Sequence, residues 1–393
     1  MFGNAVRRVA TDRSPSRRER CRRSPCWGAA LLLALAACEE PAGAGGGGPV
    51  SLAWTHRDPA GANAIPFADE DIAVFTTEFD RRVVALDART GAVRWRFTVA
   101  GGPAGLDLPE GNVLGVGGLV VVPAWDLYGL DRGTGQVRWT FAPADQYPAA
   151  SSAASDGAVI YTPGATALFA VDAQTGAQRW RADLGERPFA PVVANGVVYV
   201  GGRGGIRGSD VLGAGHVFAI RAADGEVLWK VPVPDQAGGP WQGGVNRSGA
   251  VAGDVLVIAS TNGSVYGIER ATGEVRWRRQ GSGPYESGVA MVGGVAVAAD
   301  LSGEIVGLDP ATGALRWRAT TGGSSVTQQV TSDGRCAYVS VGGLMCVDAA
   351  GTLRWDHGGG ARGGPDYFTS AVPVADRVYI GSAGGFHALT VRP

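Results

Sequence analysis

Val83-Val84-Ala85-Leu86-Asp87-Ala88-Arg89-Thr90-Gly91-Ala92-Val93-Arg94-Trp95 decides how this chain folds. The apolar run before Asp87 has the length and period of a half-buried strand. Asp87 stands where a carboxylate accepts hydrogen bonds from turn amides. Gly91 supplies the positive φ that closes a tight hairpin. Trp95, four residues on, carries onto the returning strand a ring able to bury about 150–250 Å².

The unit recurs as LYGLDRGTGQVRW (127–139), LFAVDAQTGAQRW (168–180), VFAIRAADGEVLW (217–229), VYGIERATGEVRW (265–277), IVGLDPATGALRW (305–317) and LMCVDAAGTLRW (344–355). The repeat tryptophans are Trp54, Trp95, Trp139, Trp180, Trp229, Trp277, Trp317 and Trp355, spaced 38 to 49 residues apart. That is the length of one four-stranded propeller blade. Upstream of the hairpins lie second strands such as Ile72–Phe75 and Val378–Ile380, each preceded by a strand of small residues. One column is always small: Ala85, Gly129, Ala170, Ala219, Gly267, Gly307, Cys346 and Ala388. It is expected to let neighbouring sheets approach closely.

The expected fold is therefore all-β, an eight-bladed propeller of four antiparallel strands per blade over residues 50–393. Phe386–Thr390 reads as a third strand with no fourth after it, and Val50–Trp54 as a fourth with no third before it. Pairing them would close the ring, remove its exposed edges and leave a monomer with no need of a second copy.

Sixty-three glycines and only 18% charged residues agree with turn-rich β structure. Residues 1–37 hold eight arginines against Asp12 and Glu19, so 27 basic and 34 acidic residues remain beyond them, a net charge of −7. With one lysine, Lys230, such a domain is a poor binder of phosphate backbones, and nucleic acid is not an expected partner. The apolar run Trp27–Ala37 is too short for a spanning helix, which needs about 20 residues, and suits a secretory leader.

The D-x-x-T-G-x-x-x-W unit resembles the PQQ-type propeller repeat, and the match covers 50–393. Leu35-Ala36-Ala37-Cys38 resembles a bacterial lipobox. That resemblance implies a signal peptide over 1–37, acylation of Cys38, and a Gly-rich tether over 38–49. Glu39 rather than Asp after the cysteine implies the outer membrane, facing the periplasm. Lipobox, length and eight blades together are similar to the BamB-type lipoproteins of the outer-membrane β-barrel assembly machinery. The resemblance implies a non-enzymatic scaffold whose partners are envelope proteins, among them barrel-assembly components. Two other readings stay open: a propeller that binds or senses a small ligand, and a quinone-dependent dehydrogenase. Quinoprotein alcohol dehydrogenases carry an adjacent cysteine pair and a Glu/Asn/Asp calcium site. Here there is no Cys-Cys dipeptide and no C-x-x-C-H haem motif, and no cofactor is expected.

The repeated acids Asp87, Asp131, Asp172, Glu269, Asp309 and Asp348 are read as turn caps, and His387 as a packing residue. Arg94, Arg138, Arg179, Arg276, Arg316 and Arg354, beside the repeat tryptophans, are read as a solvated face, with a cation–π role as the sharper alternative. A Gly342-Gly343 two-residue turn would pair Val339 with Cys346, placing Cys336 and Cys346 on opposite faces and disfavouring a disulfide even in an oxidising compartment. Long irregular segments (203–215, 232–244, 100–111, 357–366) fall on one face, the expected binding face. There the candidate partner or ligand residues are Trp241, Gln242, Asn246, Arg247, Tyr285, Glu286, Gln328, Tyr367 and Phe368. Ordinary loop packing is the competing reading for them.

Overall fold

A computed structural model describes residues 49–77, 80–100, 111–144, 152–203, 206–207, 210–211, 215–235, 243–322, 325–358, 366–367 and 369–392. Cys38, the leader, Trp241, Gln242 and Phe368 lie outside the described residues, as does most of the tether. Eight four-stranded antiparallel sheets follow one another along the chain. Blades one to seven span 62–98, 114–141, 154–183, 187–233, 250–280, 289–320 and 331–358. Blade eight takes three strands from 372–391 and its fourth from Val50–Arg57. A two-stranded ribbon, Ile206–Arg207 with Asp210–Val211, interrupts blade four between its second and third strands.

Ring closure is formed as expected. Val50 pairs with Val391 and the ladder runs to Arg57 opposite Gly385, with an irregularity between Leu52 and Trp54. The Arg392 amide donates to the Pro49 carbonyl and the Asp58 amide to that of Gly384, extending the ladder at both ends.

No single core exists. The buried side chains form clusters between adjacent blades, because a sheet buried on both faces needs a neighbour on each side. Ile72, Val74 and Val83 of blade one meet Val120, Val122 and Leu130 of blade two. Where blade eight returns to blade one, Phe75 stacks on Phe386 at 4.8 Å. Second and third strands are buried almost throughout, whereas fourth strands alternate outward.

The repeat tryptophans join the blades. Seven of the eight rings lie over the hairpin of the next blade, and each of these indole N–H groups donates to a turn carbonyl there. Trp54 reaches Ala88, Trp95 reaches Arg132, Trp139 reaches Ala173 and Trp180 reaches Ala222; Trp229, Trp277 and Trp317 reach Arg270, Pro310 and Ala349, at 2.8–3.1 Å. A Cβ at the turn glycine would fall 2.5–2.9 Å from the ring, as at Gly91 beneath Trp54 and Gly313 beneath Trp277. This is why the turn demands glycine, beyond its positive φ.

The small column has a different reason from the one expected. Register places each small residue directly across from the tryptophan of its own blade: Ala85 faces Trp95, Gly267 faces Trp277, Cys346 faces Trp355 and Ala388 faces Trp54. A Cβ on Gly129, Gly267 or Gly307 would sit 2.1–2.2 Å from that ring. The column clears room for the tryptophan, not for a whole sheet.

The cysteine expectation is corrected. Val341 pairs with Gly343, leaving Gly342 alone at the tip with φ 80°, its carbonyl held by the Tyr367 amide. This one-residue shift sets Tyr338 opposite Cys346 and Cys336 opposite Asp348, so both cysteines share a face. They are joined by a disulfide, Cα atoms 5.4 Å apart. Closing so short a loop contributes about 2–3 kcal/mol in the chain-entropy picture. Reduction, or Cys346→Ser, is therefore expected to lower the urea midpoint of unfolding. Midpoints equal to wild type under both treatments would show the bridge to be energetically silent.

The ring makes a second prediction. Deleting 386–393 removes the strand that pairs with Val50–Arg57 and uncovers the Trp54 ring, at about 3–5 kcal/mol for a large buried ring alone. Deleting 41–48 is expected to leave the melting temperature near wild type. Two truncations melting within a degree or two of each other would mean that closure contributes little.

Candidate functional site

Turns between second and third strands, and the segments leading into each first strand, lie on one face of the ring, opposite the Thr-Gly hairpins. Lead-in segments latch onto turns of the preceding blade. The Tyr285 amide donates to the Ser260 carbonyl, Val326 to Asp300, and Tyr367 to Gly342. Ser287 Oγ donates to the Ala299 carbonyl at 2.6 Å and accepts from the Ala299 amide at 3.2 Å. Backbone that looks like loop in the sequence is thereby fixed.

Arg247 sits where three such segments converge. Its Nε donates to the Glu286 carbonyl and its Nη2 to that of Thr327, both at 3.3 Å, spanning the approaches to blades six and seven. Asn246, Arg247, Glu286 and Gln328 are half-buried. Four candidates are thus brought to one sector of the face. Tyr285 and Tyr367 are different: they are 2% and 0% exposed and serve packing here. Burial pushes the Tyr285 phenol well above its usual range and raises that of Tyr367 to about 12. Neither is an available acid or base near neutrality.

Sequence reading missed several polar groups on this face. Asp300 is fully buried, one carboxylate oxygen accepting from the Ser302 amide, the Ser302 hydroxyl and the Glu304 amide at 2.9, 2.6 and 3.0 Å. Its other oxygen, together with Asn246 Oδ1, Tyr367 Oη and Ser370 Oγ, is buried with no hydrogen-bond partner among the described residues. The Asp300-Leu301-Ser302-Gly303 turn was the available signal, a D-x-S-G run standing in a second-to-third turn. Glu186, 5% exposed, gathers His216 Nδ1 at 2.7 Å and Lys230 at 3.3 Å. Those three residues come from three strands of blade four or its margins, and no spacing in the sequence joins them.

His387 is more than a space-filler. Its Nδ1 lies 3.0 Å from Thr55 Oγ1 and its Nε2 lies 2.7 Å from Ser382 Oγ. Its ring meets Tyr367 edge-on, and Tyr367 stacks on His357. Burial, with a smaller contribution from His357, pushes its pKa down to about 4.

Five of the six repeated acids are turn caps, as read, whereas Glu269 accepts from the Arg276 guanidinium and from no turn amide among the described residues. Asp87 accepts from the Arg89 and Thr90 amides and the Thr90 hydroxyl. The arginine column pairs with these acids, a role neither of its two readings supplied: Arg94 with Asp87 at 2.8 Å, Arg138 with Asp131, Arg179 with Asp172 and Arg316 with Asp309, each at 2.7 Å. The guanidinium contact, followed by the turn threonine, holds the Asp87, Asp131 and Asp309 carboxyls down to about 2. These exposed pairs organise a turn and contribute little to stability.

A quinone–calcium site does not fit these residues. The disulfide lies beside Asp333 and Asp348, on the hairpin side of the ring. No cluster of three or more His, Cys, Asp or Glu is placed to hold a metal among the described residues.

His387 makes the acid limb of stability testable. The folded pKa near 4 lies below the ordinary 6.5, so the unfolded chain takes the proton first. Stability is fully present above about pH 6.5 and lost as pH falls toward 4, by up to ~3 kcal/mol. His387→Gln, which keeps two hydrogen bonds without the titration, is expected to flatten urea midpoints measured between pH 7 and 4. An unchanged slope would remove His387 from the account.

Comparison with known proteins places the fold among relatives. A kinase, "Serine/threonine-protein kinase AfsK" of Streptomyces griseus, is 32% identical over 173 residues, 41% of this chain and 21% of that protein. "Outer membrane protein assembly factor BamB" of Yersinia pestis is 24% identical over 224 residues, 53% of this chain and 54% of that one. The matched segments thus span about a fifth to about half of these relatives. Among solved structures, BamB from Moraxella catarrhalis superposes with a TM-score of 0.63 at 18% identity, covering 86% of this chain and 97% of that one. A europium-containing methanol dehydrogenase gives 0.69 at 13%, covering 88% and 94%. Likeness at such identities shows the fold alone. The family profile described as "Outer membrane protein assembly factor BamB" matches residues 50–146, 124–286 and 279–392, essentially the whole ring, and the chain belongs to that family.

Proposed function

We propose that this chain is a non-enzymatic scaffold, anchored through an acylated Cys38 to the outer membrane and facing the periplasm, that docks envelope proteins during β-barrel assembly. Residues 1–37 are its signal peptide and 38–49 its tether. The observation that carries this reading is the family match across the propeller from end to end. The sector around Asn246, Arg247, Glu286 and Gln328 is the docking surface, with Trp241, Gln242 and Phe368 beside it in sequence. Its backbone is latched blade to blade, which lowers the ordering needed on association.

A second reading has its own support. Buried Asp300 Oδ2, Asn246 Oδ1 and Tyr367 Oη, without partners among the described residues, favour a small polar ligand at the same face. Titration with candidate ligands, quinone plus calcium among them, followed by tryptophan fluorescence, separates the two. A saturable quinone response would displace the scaffold reading.

Cys38→Ser is expected to leave folding intact and release the protein from membranes. A mutant still membrane-bound after signal cleavage would refute the anchor. Crosslinking from position 247 in intact cells is expected to recover a barrel-assembly component, and Arg247→Glu to lose it. Repeated recovery of none would refute the docking role.

A further inference from the structure

Seven tryptophans dock on the hairpin of the next blade, and the eighth has none among the described residues. Trp355 of blade seven faces blade eight, whose third and fourth strands come from different parts of the chain. By register, Leu389, Thr390 and Val391 stand where Leu86, Asp87 and Ala88 stand in blade one. There the Ala88 carbonyl accepts the Trp54 indole. Val391 and Arg392 instead stay extended alongside Val50 and Pro49, with no turn and no glycine beneath the ring among the described residues. No described residue accepts a hydrogen bond from the Trp355 indole.

A cavity of about 350 Å³ occupies this seam, lined by Trp355, Tyr338, the bridged cysteines and the strand ends Pro49 and Val391. Its size is at the lower end of the range for ligand pockets, roughly 300–1,000 Å³. Trp355 is 8% exposed, like the tryptophans that carry a hairpin, so its sides are already packed. What is lacking is the acceptor and the turn. Arg335, Arg354 and Arg392 border the cavity against Asp333 and Asp348. Arg335 and Arg354 pair with those two acids, and the exposed Arg392 side chain has no ion pair among the described residues.

We propose that this seam is a docking site for an acidic, glycine-containing β-turn of a partner protein, which supplies the hairpin that blade eight lacks. Seven occupied copies in the same molecule define the ligand. The turn lies against the edge of the Trp355 indole that borders the cavity, a carbonyl three residues before its glycine accepts the indole N–H, and the turn's carboxylate meets Arg392. This surface lies on the hairpin side of the ring, away from the loop face, so failure of one reading leaves the other standing.

The probe is a disulfide-cyclised, fluorescently labelled peptide carrying ALDARTGAVR, the sequence of residues 85–94, titrated into the full chain bearing Cys38→Ser and followed by anisotropy. Saturable binding with a dissociation constant below about 1 mM is expected. Replacing the peptide's glycine by valine, which disfavours positive φ, should weaken binding about tenfold or more. Trp355→Phe, which keeps a ring but removes the N–H, should do likewise. Arg392→Glu, at an exposed strand end, gives an independent arm should Trp355→Phe melt early. No saturable binding, or equal binding to wild type and both variants, would overturn the proposal. Binding that emerges only when 41–48 are deleted would assign the seam to the protein's own tether and overturn it equally.

Discussion

The indole N–H of seven of the eight repeat tryptophans, donated to a turn carbonyl of the following blade, is the contact on which the ring is built. A sheet buried on both faces is unstable alone, and its hairpin ladder holds only the strands within it. The tryptophan supplies the inter-blade term in two parts, area beneath the ring and direction through the hydrogen bond. Direction matters because a ring of eight must turn by a fixed angle at every seam. Two other columns exist to serve this contact. The glycine under the ring has no Cβ to collide with it, and the small residue across the ladder makes space for the ring's other side. A substitution in either column therefore acts on the tryptophan.

This is also why the fold was legible in the sequence. A contact repeated at seven of the eight seams imprints the same columns blade after blade, and Gly91, Ala85 and Trp95 stay in step with their counterparts along the chain. Closure was legible for the same reason, since Val50–Trp54 and Phe386–Thr390 are two halves of one unit. Reading failed where a feature occurs once. Cys336 and Cys346 depend on whether the blade-seven turn holds one residue or two, and one amide from Tyr367 selects the tighter turn. The arginine column was visible, yet its partner was not, because Arg94 and Asp87 meet only after the hairpin folds back seven residues.

The loop face was harder still. Its position followed from where the long segments fall, and Arg247, Glu286 and Gln328 do converge there. Exposure was beyond a linear reading: Tyr285 and Tyr367 carry the composition of anchors, but their rings fill the space between a lead-in segment and a turn. Conversely, Asp300 lies outside the column of repeated acids and drew no reading from the sequence. Its complete burial, with one oxygen satisfied by its own turn and the other without a partner among the described residues, arises because the lead-in segments of neighbouring blades close over it.

The two faces of the ring thus answer to different physics. On the hairpin side every element belongs to the repeat, charges are paired across exposed turns, and little distinguishes one blade from the next. On the loop side the repeat ends, polar atoms are buried, and each blade differs. Closing the ring by strand exchange links the sides, because it spends the one hairpin that blade eight would otherwise present. The alternative, a ring whose ends meet between blades, would keep all eight hairpins but leave its last seam held by side chains alone. Sharing a blade puts a ladder of backbone hydrogen bonds across the junction instead, from Val50 opposite Val391 to Arg57 opposite Gly385. What is given up is one tryptophan contact, and the geometry confines that loss to Trp355. The disulfide stands directly behind that position, with Cys346 opposite Trp355 in the ladder. The blade that has no docked neighbour on its hairpin side is therefore the one that carries a covalent brace between its second and third strands.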